Sequence, residues 1–60
     1  MTSDARRRSF LDALDESGVT VSDWEAGFLE STVDQDEFTV RQREVIDRMI
    51  NKYGGRVGDW

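Results

Sequence analysis

Residues Thr39–Gly55, TVRQREVIDRMINKYGG, constrain the fold more than any other stretch of the chain. Val45, Ile46, Met49, Ile50 and Tyr53 recur at helical spacing, and at about 100° per residue they span an arc of roughly 140°. An arc that wide needs more than one partner element to cover it, so a lone helical hairpin does not suffice. Both ends of the stretch are marked. Thr39 with Gln42 has the form of a capping box, and Gly54, following Lys52, reads as a left-handed stop beside the negative end of the helix dipole. Gln42 projects near the middle of the apolar arc, where bending back to cap satisfies its amide. The opposite face carries Arg41, Glu44, Asp47, Arg48, Asn51 and Lys52. Glu44 stands four residues before Arg48 and Arg43 four before Asp47, the spacing of paired charges on one helix.

Two preceding segments can supply the cover. The first runs from Ser3 or Asp4 to about Ser17, with Phe10, Leu11 and Leu14 as a narrow apolar stripe and Gly18 as its stop; Val19 then packs back on Leu14. The arginines at 6–8 crowd the positive end of this helix, which predicts a loose first turn. The second begins at a Ser22/Glu25 capping box, with Val21 poised to staple its first turn, and places Trp24, Phe28 and Leu29 on one face with Thr32 at its centre. Gly27 costs this helix about 1 kcal/mol relative to Ala, either as a tolerated weak spot or because another backbone passes beside it. The connection VDQDEF at 33–38 has Phe38 as its apolar anchor, and GGRVGDW at the end is too rich in Gly for regular structure. Val57 and Trp60 there either fold back on the core or stay open to a partner.

The expected architecture is one all-α domain, a three-helix bundle with helices at about 3–17, 22–32 and 39–53 and a short flexible tail over 54–60. Its expected core is Phe10, Leu11, Leu14, Val19, Val21, Trp24, Phe28, Leu29, Phe38, Val45, Ile46, Met49, Ile50 and Tyr53. A chain of 60 residues buries only about 60% of its unfolded surface, so each large apolar residue counts. Cysteine and histidine are both absent, which removes disulfides and the usual zinc sites. No run approaches the roughly 20 apolar residues of a membrane span, and nothing resembles a signal peptide. Met1 through Trp60 reads as a complete small reading frame, soluble and cytoplasmic.

The net charge of −5 conceals a division. Between Arg8 and Arg41 there is no Lys or Arg, while nine carboxylates occur there. Residues 39–56 reverse the sign, with five cations against Glu44 and Asp47. The molecule should be electrically two-sided.

Catalysis is not expected. No nucleophile stands in an elbow motif, no Gly-rich loop follows a strand, and a carboxylate pair on three short helices has no cleft in which to hold a sugar. No cofactor or metal is expected either: Asp34, Asp36 and Glu37 lack the central Gly and terminal Glu of a calcium loop. Two binding surfaces compete. Asp23, Glu30, Asp34, Asp36 and Glu37 form an acidic surface that could mimic a row of phosphates and enter a basic groove on another protein, or simply keep the chain soluble. Arg41, Arg48 and Lys52, joined by Arg6, Arg7 and Arg8 if helices 1 and 3 are neighbours, form a basic stripe that could meet nucleic-acid phosphates, or be paired off internally. The expected state is a monomer or a weak homodimer through Trp24 or Trp60.

Trp24, Phe28-Leu29, Thr39, Gln42, Val45-Ile46 and Tyr53-Gly54 also resemble the W-x-x-x-F-L, T-x-x-Q-x-x-V-I and Y-G cadence of small helical modules in phage and prophage replication or recombination proteins, such as the module associated with the UvsW helicase of T-even phages. The resemblance covers roughly Ser22 to Gly54. It implies a phage-encoded, non-catalytic accessory to a nucleic-acid enzyme, located in the host cytoplasm. The acidic middle departs from what a DNA-contacting module presents and favours contact with protein.

Overall fold

The computed structural model describes residues 2–60, so Met1, the start of the expected reading frame, lies outside the described residues. Three helices follow one another, α1 at Asp4–Ser17, α2 at Asp23–Ser31 and α3 at Val40–Val57, with no strand among the described residues. All three begin at hydroxyl caps. The Ser3 side chain accepts from the Arg6 amide; Ser22 with Glu25 and Thr39 with Gln42 close full capping boxes, each satisfying two amides that a helix start leaves open. The first turn of α1 is stitched despite its arginines, because Asp4 sits at the positive end of the dipole and pairs with Arg7 at 2.8 Å. Gly18 ends α1 with φ of 77°, a left-handed conformation that side chains with a Cβ avoid.

The tail departs from expectation. α3 runs through Gly54 and Gly55 to Val57 and closes at Gly58, whose φ is 84°. Continuing the helix brings Val57 onto the core and lets Trp60 fold back, where its indole meets Phe10 edge to face at 5.2 Å and lies 3.9 Å from where a Cβ on Gly54 would stand. The burial of two apolar side chains outweighs the poor helix propensity of adjacent glycines.

The closest backbone packing joins α1 to α3. Phe10, Leu11 and Leu14 meet Val45, Ile46, Met49 and Tyr53, with Phe38 closing one end. Val19, Val21, Phe28, Leu29 and Ile50 are partly buried against this centre. α2 lies further out, and Trp24, expected in the core, is 63% exposed. The reason is register. Glu25, Phe28, Leu29 and Thr32 stand at i, i+3, i+4 and i+7, one face of a helix, and Trp24 lies about 100° round from Glu25. That face turns inward: Glu25 and Thr32 are buried and the two apolar residues half-buried.

Two charged residues absent from the expected core are buried. Arg7, 7% exposed, donates to Asp47 from Nε at 2.9 Å and from Nη2 at 3.0 Å. Asp4 accepts from Arg7, from Arg43 through Nε at 3.0 Å and Nη2 at 2.9 Å, and from the Phe38 amide at 3.2 Å, so one carboxylate joins α1, α3 and the connection before it. The expected pairing of Arg43 with Asp47 is thereby replaced by two bridges from α3 to α1, and no ion pair joins Glu44 to Arg48 among the described residues. Glu25, 8% exposed, accepts from the Ser22 amide at 2.9 Å and from the Tyr53 hydroxyl at 2.7 Å, with the Lys52 ammonium 3.5 Å from its other oxygen. The Thr32 hydroxyl, fully buried, donates back to Phe28 O at 2.9 Å.

Candidate protein-binding surface

The outward side of α2 follows from its inward one. With Glu25, Leu29 and Thr32 facing the core, helical geometry turns Asp23, Gly27 and Glu30 to solvent, with Ser31 and Trp24 next round. Trp24 stacks on Phe28 at 5.7 Å between ring centres and 15° between planes. It has no deeper seat in the fold. Phe10, Phe38 and Tyr53 are buried, and Phe28 and Trp60 are partly so, which leaves Trp24 as the exposed aromatic among the described residues. Gly27 sits one turn along. A Cβ built on it meets nothing within 4 Å, so no neighbouring backbone in the domain needs the glycine.

α2 is therefore a ridge between hollows. On one side Asp23, Trp24, Gly27, Phe28 and Ser31 line an open groove of about 370 Å³. On the other a groove of about 370 Å³ runs between α1 and α2, floored by Leu11 and Leu29 and edged by Arg8, Asp12, Asp15 and Glu30. The acidic residues expected to form a binding surface are all at the exterior: Asp23 and Glu30 on the ridge, Asp34, Asp36 and Glu37 in the turn beyond it. None of the five takes part in an ion pair among the described residues. No group of three or more potential metal ligands is assembled among the described residues.

The basic residues are divided by the fold. Arg41, Arg48 and Lys52 are exposed on α3, and at about 100° per residue they share one ridge with Arg56 over roughly 22 Å. The arginines at the start of α1 do not extend it. Arg7 is buried between Asp4 and Asp47. Arg8 reaches under the end of α2, donating from Nη1 to Thr32 O and to Gln35 O at 3.2 Å, and from Nη2 to Asp12 at 2.8 Å. It places a cation on the carbonyls at the negative end of the helix. Arg6 lies over the Trp60 ring at 4.6 Å. Trp24 stands at the seam of the two charge patterns, since a third hollow of about 210 Å³ beside it is lined by Val45, Met49, Arg48 and Lys52.

Two carboxyls are held far below their ordinary range, and both serve the scaffold. The Arg43 guanidinium, aided by the Phe38 amide and by Arg7, overcomes partial desolvation to bring Asp4 down to about 2. Burial would raise Glu25, but the Ser22 amide, the Tyr53 hydroxyl and the Lys52 charge together hold it at about 2.

Comparison with protein-family models, with curated proteins and with solved structures finds no match to the chain. No helix among the described residues is long and apolar enough to cross a membrane.

Proposed function

We propose that the protein is a small non-catalytic accessory or inhibitor, phage-encoded as the cadence of its second and third helices implies, that works by binding another protein through the acidic ridge of α2 and the turn after it. The observation that carries this reading is Trp24, a large aromatic held 63% exposed on a helix whose own charged residues are all negative. Aromatic anchors surrounded by polar rims dominate the energetics of protein interfaces, and an acidic rim selects a partner with a basic groove. Affinity capture from the source organism tests it: Asp34, Asp36 and Glu37 changed together to Lys should lose a partner that the unaltered chain retains at low salt. Capture that persists through the reversal contradicts the reading.

A second reading has its own support. Arg41 and Arg48 are exposed without an ion-pair partner among the described residues, and Trp24 stands beside Arg48 with Phe28 stacked beneath it, the combination of cation and aromatic that single-stranded nucleic acid binds. It predicts retention on immobilised single-stranded DNA that falls steeply with salt and is lost in Arg41→Ala with Arg48→Ala. No retention at low salt disposes of it.

A further inference from the structure

We infer that the outward face of α2 is a helix-docking site whose occupant is a cationic amphipathic helix of the partner protein, crossing α2 at Gly27 and anchored by Trp24. The inference rests on the protein-binding reading above and names the kind of partner that reading leaves open.

Gly27 and Trp24 are each unexplained by the domain's own packing. A helix-interior glycine weakens its helix, and inside a fold it is normally compensated by a neighbouring backbone that comes close; here the space above Gly27 is empty. Trp24 and Gly27 stand at i and i+3 on adjoining strips of one short helix, with Ser31 one turn beyond Gly27. Small residues along a ridge allow a second helix to approach closely, while the indole at its edge offers a wide, stiff contact area at little cost in lost side-chain freedom. The groove they share is lined by Phe28 as well, so the seat has both an apolar wall and an open floor.

Charge decides what can occupy it. Asp23 and Glu30 rim the ridge, and Asp12 and Asp15 edge the hollow on its far side, where Arg8 is taken up by Asp12 and the carbonyls of Thr32 and Gln35. Arg48 and Lys52 lie beyond Trp24 on the α3 side, Lys52 against Glu25. A second copy docking by two-fold symmetry would set Asp23 and Glu30 against themselves, which disfavours self-association through this face. An extended acidic chain or a nucleic acid laid along α2 meets Asp23 and Glu30, and finds cations only beyond Trp24, at Arg48 and Lys52. A helix with leucine-like residues on one face and Lys or Arg flanking them satisfies the groove and the rim together.

The test uses the full chain labelled with ¹⁵N, and as probe a synthetic amphipathic helix of about 18 residues built from Leu and Lys, long enough to span α2 with a margin at either end. A Leu/Glu peptide of the same pattern, a single-stranded oligonucleotide, and the protein alone over a concentration series serve as comparisons. With the Leu/Lys peptide, the Gly27 amide and the Trp24 indole signals should move saturably, less so as salt rises. Gly27→Leu and Gly27→Gln should each weaken the peptide at least tenfold while melting no lower than the unaltered protein, because nothing in the domain obstructs a side chain there. Trp24→Ala should weaken it comparably. The inference is overturned if the Gly27 and Trp24 signals stay still, if the Leu/Glu peptide or the oligonucleotide moves them equally, if they move with protein concentration alone, or if both Gly27 variants bind undiminished. Binding that the reversal of Asp34, Asp36 and Glu37 weakens but Gly27→Leu leaves intact would sink the crossing at Gly27 and keep the acidic-surface reading; capture that ignores charge would sink that reading itself.

Discussion

Glu25 ties the outer helix to α3, and replacing it with Ala tests that attachment. The substitution removes two interactions at once. The Ser22 amide loses its acceptor at 2.9 Å, which undoes the side-chain half of the capping box, and the Tyr53 hydroxyl loses its acceptor at 2.7 Å inside the core. A lost cap costs about 1 kcal/mol. A buried hydroxyl left without a partner costs about 1–3 kcal/mol, so the total is about 2–4 kcal/mol. For a chain this length, whose whole stability is about 3–9 kcal/mol, that is a large share. At roughly 4–8 °C per kcal/mol in a domain of this size, thermal unfolding followed by helix ellipticity should shift down by about 8–32 °C. Tyr53→Phe alone should cost about 1.5–3 kcal/mol, since it removes a donor from a charged acceptor. The double variant should fall short of the sum by about 1–2 kcal/mol, because with the phenol gone no hydroxyl is stranded. Glu30→Ala, on the exposed side of the same helix, serves as control and should lie within about 0.5 kcal/mol of the unaltered chain. Additive losses from Glu25→Ala and Tyr53→Phe would refute the pairing, and a loss from Glu30→Ala equal to that from Glu25→Ala would refute the assignment of the inward face.

Other expectations follow from the same contacts. Glu25 and Asp4 are lowered in the folded chain to about 2 from ordinary values of 4.5 and 3.8. Their contribution is therefore present in full above the ordinary values and lost as pH falls through about 2, and melts taken across that range should show the gap between Glu25→Gln and the unaltered chain narrowing with acid. Gly18 and Gly27 should respond to Ala with opposite signs: about 1 kcal/mol of destabilisation at Gly18, where φ is 77°, and about 0.5–1 kcal/mol of stabilisation at Gly27, which is helical and unobstructed, both read from denaturant midpoints. Trp60→Ala should cost about 1–3 kcal/mol through the lost contact with Phe10 and shift the Phe10 ring resonances; a neutral result would mean the tail does not close the core.

The parts of this fold that could be read from residue order are those with a local cause. Ser3, Ser22 with Glu25, Thr39 with Gln42, and Gly18 each act on amides or carbonyls within a few positions, and the helices begin and α1 ends where they point. Gln42 caps as its position suggests, and its amide also donates to Gln35 at 2.9 Å. What was misread depends on what lies across the fold. Arg7 stands at i, i+3, i+4 and i+7 with Phe10, Leu11 and Leu14, directly in line with the apolar stripe, but its burial is compensated by Asp47 forty positions away together with Asp4 one turn back. The phenol of Tyr53 at the end of a core arc signalled a buried acceptor, and Glu25 fits the inward register of α2; hydrophobicity alone instead assigned Trp24 to that face. Gly54 has the local form of a helix stop, and the packing of Val57 and Trp60 overrides it. The acidic surface was legible because charge order survives folding, whereas the basic cluster at 6–8 was not, since Arg7 and Arg8 serve as internal fasteners.

The central claim is that Trp24 serves a partner and not the core. The most direct measurement sets Trp24→Ala beside the unaltered chain in two readings, the melting temperature and the charge-dependent capture of a partner. The account predicts a melt within a few degrees, as for an exposed residue, and capture reduced at least tenfold. A melt lowered by more than about 10 °C with capture unchanged would put the indole back among the residues that hold the domain together.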